Sequence, residues 1–207
     1  MSAAIPIKAN PMTNYRRSNI AGASYFFTVN IADRSSRLLT EHIALLRSAF
    51  EYTQSRHPFM IDAIVVLPDH LHAIWTLPAG DSDFALRWRL IKTVFSRSLQ
   101  RGEHRSTSRK DKGERGIWQR RYWEHLIRNE EDFARHADYI HINPVKHGCA
   151  KQVAEWPHSS FHRYARAGIL PMDWAGNAVE ELDCGEREQA FDDGYRCAQP
   201  ILRGLIQ

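Results

Sequence analysis

His70 and His72 stand two residues apart in Ile64-Val65-Val66-Leu67-Pro68-Asp69-His70-Leu71-His72-Ala73-Ile74-Trp75, a run dominated by apolar, strand-forming residues. In a strand the side chains of i and i+2 leave from one face, so the two imidazoles point together. Such a pair can hold a metal ion, or can be two half-buried histidines each satisfied by a neighbour. A second group lies in Asp138-Tyr139-Ile140-His141-Ile142-Asn143-Pro144. Tyr139 and Asn143 are four apart and therefore stack on one face of a helix. Pro144 lacks an amide hydrogen and crowds the carbonyl four residues back, which predicts that the helix ends or kinks there. Asn143 then either caps the helix or offers its amide oxygen to an ion, and Tyr139 is either a packed phenol or a nucleophile. Taken together, the four describe an ion with a nucleophile beside it. A free phenol has a pKa of about 10, so it needs a base, the ion, or a positive neighbour such as Lys146.

The elements that must position these residues are readable from periodicity. Ser24 to Ile31 is dense in aromatic and β-branched residues and predicts a first strand, and Asp33 to Ser36 a turn. Thr40 to Arg56 has helical spacing (Ile43, Leu45, Leu46, Ala49, Phe50, Tyr52), with Thr40 as N-cap. Phe59–Leu67 and His70–Leu77 predict a hairpin turned by Pro68-Asp69, with the histidines opening its second arm. Ser82 or Asp83 caps a second helix reaching about Leu99, apolar at Phe84, Trp88, Ile91, Val94 and Phe95, and basic at Arg87, Arg89, Lys92 and Arg97 on its other face. Residues 101–116 carry charge, Gly and Ser without apolar period and predict a mobile basic loop. Ile117 to Trp123 alternates bulky and polar residues as a fourth strand or extended edge. Asn129 or Glu130 starts a third helix with Phe133, His136, Ala137 and Ile140 inward. The order strand-helix-strand-strand-helix-strand, then helix, predicts an α+β ferredoxin-like sandwich, an antiparallel sheet with helices packed on it and a C-terminal extension.

At 207 residues the chain suffices for one sizeable core. No run approaches the roughly 20 apolar residues that span a bilayer, and the N-terminus does not resemble a secretion signal. The three cysteines, Cys149, Cys184 and Cys197, are odd in number and unpaired in motif, which predicts reduced thiols in a cytoplasmic protein. The net charge of +4 hides a strong asymmetry. Arg87 to Arg121 holds twelve Lys/Arg against three acids, whereas Pro171 to Gln207 holds eight acids against three arginines. A concentrated positive stretch suits a polyanion, because each neutralised phosphate releases counterions. The acidic end is either a solvated tail or a DNA mimic that folds back on the basic groove.

The chain resembles single-strand transposases with one catalytic tyrosine. His70-Leu71-His72 after Val65-Val66-Leu67-Pro68 is similar to their histidine–hydrophobe–histidine motif. Ile117-Trp118-Gln119-Arg120-Arg121-Tyr122-Trp123-Glu124-His125 and Asp138 to Gly148 resemble one branch, the bacterial REP-associated tyrosine transposases. Tyr15-Arg16-Arg17 and Trp156-Pro157-His158-Ser159-Ser160-Phe161-His162 are similar to the same branch, and the likeness runs from about Tyr15 to about Gly176.

That resemblance implies Tyr139 as catalytic nucleophile, and Mg2+ or Mn2+ held by His70, His72 and Asn143. It implies cleavage and rejoining of single-stranded DNA at REP-type hairpins through a 5′-phosphotyrosine. DNA-binding candidates are Tyr15, Arg16, Arg17, Arg87, Arg89, Lys92, Arg120, Arg121 and Lys146, with Trp118, Tyr122 and Trp123 as stacking platforms or core. The competing classes are a nucleic-acid-binding protein without turnover and a hydrolase whose metal activates water. The expected organisation is a leader at 1–13, one catalytic domain at 14–165 and an acidic extension at 166–207, in a bacterial, nucleoid-associated monomer.

Overall fold

The computed structural model describes residues 19–102 and 107–174. Four strands carry the sheet: β1 (Ser24–Asn30), β2 (Met60–Val66), β3 (His70–Thr76) and β4 (Trp123–Leu126). All pairings are antiparallel and the order is β2-β3-β1-β4. With α2 (Ile43–Arg56) joining β1 to β2 and α3 (Phe84–Ser98) leading from β3 toward β4, this is the expected ferredoxin-like arrangement.

Alternation along β1 and β3 splits the core into two layers. Tyr25, Phe27, Val29, Leu71, Ala73 and Trp75 face α2 and α3, where the indoles of Trp75 and Trp88 stack at 4.2 Å. Aromatic pairs of this kind contribute roughly 0.5–1.5 kcal/mol beyond their buried area. Phe26 and Ile74 face the opposite way, against α5 (Glu130–Lys146), together with Ala63, Val65, Ala137, Tyr139 and Ile140. Helix α5 thus closes the face toward which His70 and His72 also point, since both share the parity of Ile74 on β3.

The edge strand β2 is covered by the chain's later part. Val66 N–H donates to His158 O (2.8 Å), Ser160 N–H to Ile64 O (2.8 Å), and Ile64 N–H to Ser160 Oγ (2.9 Å). Arg163, on α6 (Phe161–Arg166), donates to the carbonyls of Ile61 and Asp62.

Several sequence expectations are corrected. The helix expected from Thr40 begins at Leu38 as α1 (Leu38–Glu41), breaks at His42 and resumes as α2, so Thr40 is not its cap. Ser36 Oγ accepts from Leu38 N–H instead (3.2 Å), and Tyr52 lies exposed rather than inward. Residues 101–116 contain a short helix, α4 (Thr107–Asp111). The fourth strand starts only at Trp123. Residues 117–119 form a spur beside the end of β1, with Ala32 N–H donating to Ile117 O and Gln119 N–H to Asn30 O. Pro144 does not stop α5, which runs on to Lys146. So near the C-terminus its missing amide hydrogen costs one ladder bond, and Gly148 at φ +65° ends the helix instead.

Candidate active site

The site lies between the start of β3 and the C-terminal half of α5. The rings of His70 and His72 are 5.0 Å apart and perpendicular, and the Tyr139 ring is 5.2 Å from that of His72. Lys146 Nζ is 4.8 Å from the centroid of the Tyr139 ring. Asn143 lies one turn beyond Tyr139 on α5 and is fully buried. The structure therefore brings together the imidazole pair, the phenol and the cation, with the carboxamide one turn along the same helix.

Each histidine is held through its Nδ1. His70 Nδ1–H donates to Asp69 Oδ1 at 2.7 Å, and Asp69 Oδ2 accepts from Arg34 Nε at 2.6 Å. His72 Nδ1 is hydrogen-bonded to Thr28 Oγ1 at 2.9 Å, the two residues being directly paired across β1 and β3. Tying down Nδ1 fixes each ring's orientation and leaves Nε2 as the donor that an ion would meet, the usual outer-shell arrangement of metal-binding imidazoles. Burial would raise the Asp69 carboxyl, but its bond to His70 and the charges of His70 and Arg34 outweigh this and hold it below the ordinary carboxylate range. Burial, then the charges of His70, His147 and Lys146, holds His72 well below the ordinary imidazole range, so it is neutral and fit to ligate.

Asn143 supplies a test of whether a cation fits. Among the described residues, neither Oδ1 nor Nδ2 of this buried side chain has a hydrogen-bond partner. A buried amide left unsatisfied costs roughly 1–3 kcal/mol, and native proteins rarely keep one without a reason. A carboxamide oxygen and two neutral imidazoles are donor types that a divalent ion accepts, so the residues present fit one.

Sequence reasoning missed Thr28, Asp69 and His147. Thr28 is legible only from strand register. Asp69 abuts His70 in sequence, a signal masked by Pro68-Asp69 having the composition of a turn. His147, four beyond Asn143, packs its ring 4.9 Å from that of His70. Burial, His70 and Lys146 hold it down to about 4. A further cluster of His125, Asp132 and His136 lies at the other end of α5.

The basic candidates divide. Arg87 is corrected: it is 1 % exposed and donates to the carbonyls of His57, Pro58 and Asp83 and to Asp81 Oδ2, so it braces the fold and cannot reach a DNA backbone. Lys92 is half-buried and donates to Gln119 O at 3.1 Å, between the rings of Trp118 and Tyr122. Trp118 and Tyr122 themselves pack into the α3 side of the core. Arg120 is exposed but paired with Glu114 at 2.8 Å. Arg89 is exposed on α3, across the sheet from α5. Arg121 and Lys146 are exposed, and Arg121 lies two residues before Trp123, which pairs with Thr28. Tyr15, Arg16 and Arg17 lie outside the described residues, as does the chain beyond residue 174.

A phenol beside two oriented imidazoles is an arrangement that can attack a phosphodiester, and it points to a class: the tyrosine-dependent strand transferases. No family model matches the chain. It is 49 % identical over 176 residues to a REP-associated tyrosine transposase of Escherichia coli (strain K12), covering 85 % of this chain and 98 % of that one. A relative from Haemophilus influenzae assigned to the same family is 47 % identical over 167 residues, 80 % of this chain and 95 % of its own. A solved structure of the REP-associated tyrosine transposase bound to a REP hairpin superposes with a TM-score of 0.72 at 49 % identity, over 85 % of this chain and 98 % of that chain. The chain belongs to the REP-associated tyrosine transposases, and is an enzyme of DNA cleavage. Among the described residues no helix is long and apolar enough to cross a membrane.

Proposed function

We propose that the chain cleaves and rejoins single-stranded DNA beside REP-type hairpins, with Tyr139 as nucleophile and a divalent ion at His70, His72 and Asn143. Support for the hairpin comes from the relative whose structure holds one. Support for the ion comes from the buried amide of Asn143, which has no hydrogen-bond partner among the described residues, the observation that carries this reading.

When bound, a magnesium or manganese ion polarises the scissile phosphate and shields its charge. The protein's own residues do the rest. Asp69 and Thr28 aim the imidazoles. Tyr139 Oη attacks phosphorus in line; the bond to the 3′ oxygen breaks, that oxygen leaves as a 3′-hydroxyl after gaining a proton, and a 5′-phosphotyrosine remains. Lys146, over the phenol ring, supplies positive charge beside the attacking group and the incoming phosphate. Reversal by a new 3′-hydroxyl rejoins strands without ATP, since the phosphotyrosine keeps the energy of the broken bond. Tyr139 is 1 % exposed, so entry of the strand requires a displacement at that end of α5. One chain supplies every group named. That favours action as a monomer, and the β2 edge is already paired with residues 158–160 of the same chain.

The test is a labelled hairpin with a single-stranded flank, incubated with and without Mn2+ and run on a denaturing gel. A manganese-dependent covalent adduct should form and disappear in Tyr139→Phe while hairpin affinity is kept. Metal-dependent cleavage that survives Tyr139→Phe would replace this reading with water-activated hydrolysis, and binding without any cleavage would replace it with a binding protein.

A further inference from the structure

We propose that His125, Asp132 and His136 form a second metal site, distinct from the one at His70 and His72 and selective for zinc-class ions. Each residue offers one donor atom, and the three donors lie within 4.8 Å of one another. His125 comes from β4, Asp132 from the first turn of α5 and His136 from the next turn, so the site ties the sheet to the root of the helix whose far end carries Tyr139. Asp132 Oδ2 is 2.9 Å from His125 Nε2, and Asp132 Oδ1 is 3.2 Å from His136 Nδ1. Donors of a tetrahedral zinc ion, each about 2.0–2.2 Å from it, stand roughly 3.3 Å apart. The widest separation among the three donors, at most 4.8 Å, closes to that spacing by displacements on the order of 1 Å.

The surroundings are those of a ligand set. The two imidazole rings are nearly parallel, 4.7 Å apart at 18°, and so can face the carboxylate side by side. Asp132 is buried and its Oδ2 also accepts from the main-chain N–H of Arg128 at 3.1 Å, which orients the carboxylate from outside. Burial opposes its ionisation, but the bonds from His125 and Arg128 prevail and hold it far below the ordinary carboxylate range. Two groups must yield to an ion. His136 Nδ1 gives up its 2.7 Å contact with the Asp132 carbonyl. Arg128 Nε, 3.1 Å from Asp132 Oδ2, belongs to a side chain 66 % exposed that can swing into solvent and admit a water as fourth ligand.

The ring of Phe26 separates this cluster from the other centre, 4.8 Å from His136 but 5.6 Å from His72 and 6.1 Å from Tyr139. Two imidazoles with one carboxylate favour Zn2+, Co2+ or Ni2+ over Mg2+. Its role would be structural, because an ion bound only by the folded chain adds its binding free energy to stability.

The test uses the full chain without an affinity tag, carrying His70→Ala and His72→Ala to disable the other centre. Cobalt is followed by visible d–d absorption and zinc by native mass spectrometry. One Co2+ per chain should bind, be displaced by Zn2+ and resist a large excess of Mg2+, and Zn2+ should raise Tm. Adding His125→Gln removes a ligand, and should weaken Zn2+ by more than the roughly 10–100-fold that loss of an outer-shell partner costs and abolish the rise in Tm. Arg128→Ala should strengthen Zn2+ several-fold by removing the competing guanidinium, a gain that a purely hydrogen-bonded network does not give, and this readout holds even if the histidine variant folds poorly. No ion retained in the double-alanine chain, or retention unchanged by both further substitutions, overturns the proposal.

Discussion

The two imidazoles at the start of β3 are held by neighbours that have no chemistry of their own. Thr28 holds the ring of His72 by its Oγ1, and Asp69 holds His70 while being held by Arg34. Removing such a neighbour releases the ring's orientation and tautomer without removing a ligand. Thr28→Val should therefore lower Mn2+ affinity about 10–100-fold, read by electron paramagnetic resonance, with little change in hairpin affinity measured without metal. Asn143 leads to a less usual expectation. Its amide is buried without hydrogen-bond partners among the described residues, and an unsatisfied buried amide costs roughly 1–3 kcal/mol. Leucine has the same branched skeleton and no such cost, its two methyl groups being only somewhat bulkier than the amide atoms they replace. Asn143→Leu should raise the metal-free denaturation midpoint and at the same time weaken Mn2+ binding. A lower midpoint would mean that the amide has a stabilising partner, and would remove the argument that it waits for an ion. His70, His72, Tyr139 and Asn143 were legible because strand and helix periods fix which residues share a face. Thr28 was not, because cross-strand register is a tertiary fact; nor was His147, whose closeness to His70 depends on α5 continuing through Pro144.

At the scale of elements, the same face logic misplaced Arg87. Helical spacing put it among the basic residues of α3, yet its stem lies in the core and its guanidinium satisfies three carbonyls and Asp81. One charge that replaces several missing backbone partners is invisible to a pattern that sorts residues only as apolar or charged. Arg87→Met should cost about 3 kcal/mol or more in urea unfolding and leave the hairpin affinity of the folded fraction unchanged. The packing of α5 against α6 predicts a pH dependence. His141 is buried, its Nε2 3.0 Å from Ser160 Oγ, and burial followed by the charge of Arg163 holds it down to about 4. In the unfolded chain it takes up a proton near 6.5, so between these values the unfolded state binds more protons and folding weakens as the pH falls. The contribution is complete above about pH 6.5, declines to about pH 4, and amounts at most to about 3 kcal/mol. In metal-free buffer the unfolding free energy of His141→Gln should fall less between pH 7 and pH 5 than that of the unsubstituted chain. Equal slopes would show that the histidine stays neutral for another reason. The existence and order of β1, α2, β2, β3, α3 and α5 followed from periodicity. The irregular path from 117 to 122 did not, because it is set by the spur's bonds to Asn30 and Ala32 rather than by its own pattern.

For the molecule as a whole, the distribution of charge matters more than its sum. The basic stretch from Arg87 to Arg121 is not one surface: Arg87 is internal, Lys92 is bonded to the spur, Arg120 is paired with Glu114, and Arg89 lies across the sheet from α5. Lys146 lies over the Tyr139 ring, and Arg121 stands two residues before Trp123, which pairs with Thr28 beside His72. A single strand led to Tyr139 must pass that end of the sheet. Each cation that meets a phosphate there releases a counterion, adding roughly 0.7 to the slope of log affinity against log salt. Arg121→Gln and Lys146→Gln should each lower the slope by about that amount for a flanked hairpin, and their effects should add, because the two act on different phosphates. Arg89→Gln should leave the slope unchanged. A loss of slope with Arg89→Gln would mean that the strand wraps round the sheet to α3, and the basic stretch would then be one DNA surface after all.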